Sequence, residues 1–286
     1  MPIKDPLLAE KGLKLWLKRE DLNHPVVSGN KWRKLKYNLE EARVQGHKTL
    51  LTFGGAYSNH IYAVAGAGKA MGFETIGVIR GEKHAELNPT LSFAESQGMQ
   101  LYYMDRNTYR EKESEFVINL LKQLYGDFYQ IPEGGSNILA VKGCAEIVDE
   151  IDIEYDYLCC PVGTGGTMAG LIAGAKGKGT VLGFSALKGS FLTDDVGKLL
   201  EKTNMLYNNW SITDEYCFGG YAKTKPALFE FMAQFEQKQG ILLEPIYTAK
   251  MLYGIWQMVE AGDFKPGSKI VAIHTGGLQG RAGFGL

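Results

Sequence analysis

Between Thr49 and His274 the chain alternates short apolar runs with helix-like stretches, and this alternation limits the fold more than any other feature. Thr49–Phe53, Glu74–Arg80, Met99–Met104, Tyr157–Val162, Val181–Leu187 and Lys269–His274 read as strands. Asn59–Met71, Pro89–Gln97, Lys112–Tyr125, Leu139–Ile151, Thr167–Lys176 and Thr248–Ala261 read as helices. Strands separated by helices of this length predict βαβ units, hence an α/β protein with a mostly parallel sheet covered on both faces. In such sheets ligands sit at the carboxyl ends of the strands. Three glycine-rich turns, at 54–55, 163–166 and 276–277, each directly follow a predicted strand. That placement can bring all three to one crevice.

With 286 residues the chain is long enough for two lobes around a large core. A net charge of −1 gives no electrostatic reason to expect nucleic acid or an anionic membrane as partner. No stretch has the length of an apolar membrane span, and Met1-Pro2-Ile3-Lys4-Asp5-Pro6 lacks a secretion core, so a cytoplasmic location is expected. The cysteines (Cys144, Cys159, Cys160, Cys217) form no C-x-x-C pair and read as core thiols. The histidines at 24, 47, 60, 84 and 274 show no metal-ligand spacing, so no metal site is expected.

Chemistry concentrates in a few segments. Lys31, in Ser28-Gly29-Asn30-Lys31-Trp32-Arg33-Lys34, follows cap-type residues and opens a predicted helix. A cation there opposes the helix dipole; with burial, Arg33 and Lys34, that placement lowers the amine pKa. A lysine so tuned can form a Schiff base with an aldehyde cofactor. The competing reading is a solvated basic face made of Lys31, Arg33, Lys34 and Lys36.

The turn Pro161–Thr167 offers backbone N–H groups around Gly163, Gly165 and Gly166 to a phosphate, with a helix dipole behind them. A dinucleotide fingerprint would need glycine where Met168 stands, which argues against a nicotinamide dehydrogenase, and no P-loop lysine is present. Ser58 and Asn59 begin a helix after Gly54-Gly55 and are explained either as caps or as polar contacts to a cofactor ring and a carboxylate. Thr248 reads as the N-cap of the helix after Glu244-Pro245-Ile246-Tyr247. A reactive amine, a hydroxyl turn and a phosphate cradle together point to pyridoxal phosphate.

The order of these segments resembles the family of 1-aminocyclopropane-1-carboxylate deaminase and D-cysteine desulfhydrase, related in fold to tryptophan synthase β. The resemblance rests on Leu17-Lys18-Arg19-Glu20-Asp21, Gly29-Asn30-Lys31, Gly54-Gly55, Ser58-Asn59-His60, Gly163-Thr164-Gly165-Gly166-Thr167, Pro245-Ile246-Tyr247 and His274-Thr275-Gly276-Gly277. It implies the two-lobed open parallel-sheet fold of fold type II pyridoxal-phosphate enzymes. The large cofactor-binding lobe would comprise residues 1–36 and 145–286, with 37–144 as an inserted smaller lobe. It further implies that Lys31 holds the cofactor and moves protons, that Asn59 bonds the ring hydroxyl, and that Gly163, Thr164, Gly165, Gly166 and Thr167 hold the phosphate. Ser58 would lie near the substrate carboxylate, Tyr247 and, more weakly, Tyr221 near the reacting carbon, and Thr248 at the pyridine nitrogen. A homodimer acting on a small amino acid is implied in the same way.

Four positions matter against the family pattern. Tyr57 stands where glutamine is frequent, and Ile61-Tyr62 replaces a threonine-arginine pair. Thr248 stands where the cyclopropane deaminases resemble one another in carrying glutamate, and desulfhydrases threonine. A hydroxyl holds the pyridine proton less firmly, which favours expulsion of a good β leaving group over opening of a strained ring. The expected activity is therefore α,β-elimination from D-cysteine, giving pyruvate, ammonia and sulfide. The alternatives are deamination of 1-aminocyclopropane-1-carboxylate to 2-oxobutanoate, or a non-catalytic pyridoxal-phosphate- or metabolite-binding homologue.

Overall fold

The computed structural model describes residues 1–286 as two sheets flanked by helices. The larger sheet has six strands: β1 (Pro2–Ile3), β2 (Lys14–Arg19), β7 (Tyr157–Val162), β8 (Thr180–Ser185), β9 (Trp210–Thr213) and β10 (Lys269–His274), in the order β1-β2-β10-β7-β8-β9. The smaller has β3 (Thr49–Gly54), β4 (Glu74–Arg80), β5 (Gln100–Met104) and β6 (Tyr129–Ile131), in the order β5-β4-β3-β6. Every pairing is parallel except β1 on β2.

Alternation along the strands builds the two cores of the larger sheet. Ile270 and Ala272 face one side, where α1 (Pro6–Glu10), α10 (Pro226–Gln239) and α11 (Thr248–Ala261) bury Leu8, Phe235 and Ile255 against them. Val271 and Ile273 face the other side, under α7 (Ile138–Asp149), α8 (Gly166–Ala175) and α9 (Phe191–Lys202). The smaller sheet is covered in the same way. Helices α2 (Asn30–Val44), α3 (Asn59–Met71) and α4 (Pro89–Ser96) pack on one face, and α5 (Arg106–Arg110) and α6 (Glu115–Tyr125) on the other. All four cysteines are free and buried, and Cys159 and Cys160 point to opposite faces of β7. No helix is long and apolar enough to cross a membrane.

Helix α2 links the two sheets. Its Leu35 and Leu39 belong to the core of the smaller sheet. On its other side Arg33 is clamped by Glu20 (Nε to Oε2 2.8 Å) and Glu150 (Nη1 to Oε1 2.7 Å). A Cβ on Gly143 of α7 would collide with the Arg33 carbonyl, so the two helices touch at backbone distance. These contacts correct the solvated-basic-face reading: Arg33 and Lys34 are buried, and Lys31 and Lys36 are only partly exposed.

Candidate active site

The start of α2 is set by its approach to the end of β10. Gly29 has φ +73° and accepts no replacement side chain, because a Cβ there would collide with the Thr275 carbonyl. Asn30 donates its backbone N–H to that carbonyl at 3.2 Å, and its side-chain amide donates to Thr167 Oγ1 at 2.7 Å. Ser28 does not cap the helix; Gly29 occupies the N-cap position with no side-chain bond.

Lys31 is thereby placed in a pocket that Asn59, Tyr62, Thr275, Gly277 and Gln279 also line. Its Nζ donates to Asn30 Oδ1 at 3.2 Å. Burial and then the Lys34 ammonium lower its pKa to about 7. Arg33, expected to assist, instead spends its charge on Glu20 and Glu150.

Lys34 is the residue the sequence reading undervalued. It is 3% exposed and has no carboxylate partner. Its Nζ donates to the Gly134 carbonyl at 2.9 Å and to Ser136 Oγ at 3.0 Å, with Thr164 Oγ1 at 3.4 Å. Ser136 and Thr164 are themselves joined at 2.6 Å. Burial brings the Lys34 pKa down to about 8. The glycine turn closes on the same point: Gly165 has φ +77°, and a Cβ on Gly166 would stand 2.6 Å from Ser136 Oγ and 3.2 Å from Lys34 Nζ. A buried cation without a counter-ion, a hydroxyl pair and the N-terminus of α8 make a cradle for an anion. The signal for the extra wall was present as Gly134-Gly135-Ser136-Asn137, a fourth glycine pair before an apolar helix.

Asn59 opens α3, capped by Ser58, whose Oγ accepts from the N–H groups of His60 and Ile61 at 3.2 and 3.3 Å. Asn59 Oδ1 accepts from Gln279 Nε2 at 3.0 Å, and a Cβ on Gly277 would strike the Asn59 amide. Gln279 drew no attention in the sequence, since it lies beyond the last glycine turn. Behind Asn59, His60 is fixed by Thr52 (Nε2 to Oγ1 2.9 Å) and held neutral by burial and by the charges of Lys31 and Lys34.

Thr248 is not the N-cap expected of it: Tyr247 holds that position, and Thr248 begins the helix proper. Capping falls to Glu244, whose carboxylate accepts from the backbone N–H groups of Ile246, Tyr247 and Thr248. Burial raises the Glu244 pKa. Thr248 Oγ1 is fully buried and has no hydrogen-bond partner. The Tyr247 ring lies against Gly163, where a Cβ would be 3.0 Å from it. Tyr221 meets Tyr247 edge-on at 6.2 Å, so the two tyrosines form one wall. Tyr57 is exposed, and Tyr62 stacks on Phe93 at 3.7 Å.

A family model described as pyridoxal-phosphate dependent enzyme matches residues 3–276. A protein of Pyrococcus abyssi provisionally named a 1-aminocyclopropane-1-carboxylate deaminase is 31% identical over 95% of this chain and 86% of its own length. A bifunctional, mitochondrial D-cysteine desulfhydrase/1-aminocyclopropane-1-carboxylate deaminase of Arabidopsis thaliana is 31% identical over 94% of this chain and 73% of its own length. A crystal structure of a 1-aminocyclopropane-1-carboxylate deaminase homologue superposes with a TM-score of 0.85 at 28% identity, covering 98% of this chain and 89% of the other.

Proposed function

The chain belongs to the 1-aminocyclopropane-1-carboxylate deaminase and D-cysteine desulfhydrase family of pyridoxal-phosphate dependent enzymes, and on that premise we propose that it eliminates sulfide from D-cysteine. The observation that carries this choice is Thr248. Its neutral hydroxyl is buried without a partner, while both oxygens of the nearby Glu244 are committed to backbone N–H groups.

The residues fit pyridoxal phosphate on three separate grounds. Lys31 is an amine poised near neutrality. Lys34, Thr164 and the Gly163–Thr167 turn form a cradle that a single added Cβ would fill. The orphaned Thr248 Oγ1 is a polar atom in want of a partner, as expected opposite a ring nitrogen. Asn59 is assigned the ring oxygen, held in orientation by Gln279.

When bound, the cofactor supplies an electron sink for negative charge at the substrate α-carbon. Lys31, whose pKa of about 7 leaves much of it unprotonated at neutral pH, would hold the cofactor through its aldehyde. Once the substrate amine has displaced it, the freed Lys31 amine would take the proton from the substrate α-carbon. Ser58 stands where a substrate carboxylate would meet the N-terminus of α3. Tyr247 and Tyr221, edge-on to each other, would wall the side on which the β-substituent leaves. The β-carbon to sulfur bond breaks and thiolate leaves with a proton as hydrogen sulfide. Water then converts the remaining 2-aminoacrylate to pyruvate and ammonia.

The names of the relatives favour a second reading on the same scaffold, deamination of 1-aminocyclopropane-1-carboxylate to 2-oxobutanoate. The test is a visible-absorbance titration of the yellow enzyme with each compound, with sulfide, pyruvate and 2-oxobutanoate measured. Sulfide and pyruvate from D-cysteine support the first reading; 2-oxobutanoate alone selects the second. A smaller lobe at 37–144 and a homodimer form part of the same proposal, the latter checked by sedimentation.

A further inference from the structure

Lys250 is placed where a lysine is costly. It is 1% exposed, it occupies the first turn of α11 against the helix dipole, and no carboxylate pairs with it. Burial lowers its pKa to about 8. Its ammonium instead donates to two backbone carbonyls, those of Cys217 and Gly220, each at 2.8 Å.

These carbonyls bracket a segment with an unusual backbone. Phe218, Gly219, Gly220 and Ala222 all have positive φ, two of them in residues with a β-carbon that disfavours it. The next residue after Gly220 is Tyr221, whose ring stands edge-on to Tyr247 at 6.2 Å. Lys250 and Tyr247 share the start of α11, so the loop and the wall it completes are tied to one helix end. Turn bonds from the N–H groups of Gly220 and Lys223, each 3.1 Å, share these carbonyls, and Phe218 meets Tyr253 of α11 edge-on at 5.0 Å; the Lys250 ammonium adds the polar tie between the segment and α11.

We infer that Lys250 is a positioning residue that pins the 217–222 loop so that Tyr221 closes the substrate side of the pocket against Tyr247. The ammonium acts through the loop backbone and touches neither cofactor nor substrate. The role of Tyr221 in substrate closure rests on the reaction proposed above; the clamp on the loop does not.

The test uses full-length, cofactor-loaded protein and two variants, Lys250→Met and Lys250→Gln; the second retains an N–H donor should the first fail to fold. Amide hydrogen exchange of residues 217–222 is measured at fixed temperature, with the α8 and β7 amides as internal reference. The clamp predicts exchange at least tenfold faster in the loop for Lys250→Met, an intermediate rate for Lys250→Gln, and unchanged reference amides. Unchanged loop exchange in a folded variant overturns the proposal, as does acceleration spread evenly over the protein. The second arm is a double-mutant cycle with Tyr221→Phe on kcat and KM for D-cysteine. Non-additive losses, carried mainly in KM, are expected; strictly additive losses overturn the link to Tyr221. If D-cysteine is not a substrate, the exchange arm still decides the clamp, so the two failures are distinguishable.

Discussion

The side-chain amide of Asn30 donates to the hydroxyl of Thr167 at 2.7 Å, joining the residue before Lys31 to the last residue of the glycine turn. The amine and the anion cradle are thus registered to each other by one bond between residues 137 positions apart. Replacing Asn30 by alanine removes a partner from Thr167 and leaves the fold's cores untouched. A loss of about 1 kcal/mol in stability is expected, with a larger loss in cofactor affinity, read by thermal melting with and without pyridoxal phosphate.

Capture of pyridoxal phosphate by the cofactor-free protein should accelerate as pH rises through about 7 and level off above it, because the Lys31 amine is depressed to that value. A lysine with a lowered folded-state pKa also penalises folding fully below that pKa. Its penalty fades as pH climbs toward the unfolded value of about 10.4. Stopped-flow absorbance across pH 5.5–9, roughly bracketing that inflection, decides the matter. An inflection near the ordinary lysine value would remove Lys31 from the role given to it.

Lys34→Met should weaken pyridoxal phosphate binding about 30-fold, the equivalent of one charge-assisted hydrogen bond worth about 2 kcal/mol. Pyridoxal, which lacks the phosphate, should bind the variant and the parent protein alike. Equal loss for both compounds would place Lys34 outside the anion cradle.

Thr248→Val replaces an unpartnered hydroxyl by a methyl of the same shape. The cofactor-free protein should change in stability by no more than about 0.5 kcal/mol, since no hydrogen bond is lost. Turnover of the loaded enzyme should fall about tenfold if the hydroxyl serves the ring, one factor of ten corresponding to about 1.4 kcal/mol of barrier. Calorimetry and a sulfide assay separate the two effects.

Glu20→Gln uncouples Arg33 from its most buried partner, a carboxylate only 1% exposed. A buried pair left with an uncompensated charge costs about 3 kcal/mol; a smaller loss, about 1–2 kcal/mol, is expected because one carboxylate remains. Glu150, whose pKa is held to about 2 chiefly by its hydrogen bond from Arg33, still offers a second carboxylate. A urea midpoint unchanged from the parent protein would show that Glu150 suffices alone.

Local patterns carried much of the fold. Asn59–Met71 and Thr248–Ala261 were legible to the residue as α3 and α11, because each joins an apolar face to clear end signals and closes on a left-handed glycine, Gly72 or Gly262. Other elements left weaker marks. β6 is three residues long and has no room for a period, and β2 mixes lysine and arginine with its apolar positions. Pro226 and Gly240 mark the ends of α10, and Leu192, Val196 and Leu200 recur at helical spacing in α9, but both helices lie outside the strand–helix alternation legible in the sequence. The site was legible where function sits on a glycine turn or a helix start. It was illegible where it depends on distance along the chain: Gly134-Gly135 marks a turn, but nothing local pairs it with Lys34, which meets Gly134, Ser136 and Thr164 from 100 to 130 residues away.

The strand that completes the larger sheet follows the other nine in chain order. β10 separates β2 from β7, with Ala272 paired to Leu17 on one side and Cys159 on the other. Until residues 269–274 leave the ribosome, the amino-terminal strands and the central strands have no common edge, and Thr275 and Gly277 cannot line the pocket. A chain shorter than that therefore has no finished seat for its cofactor.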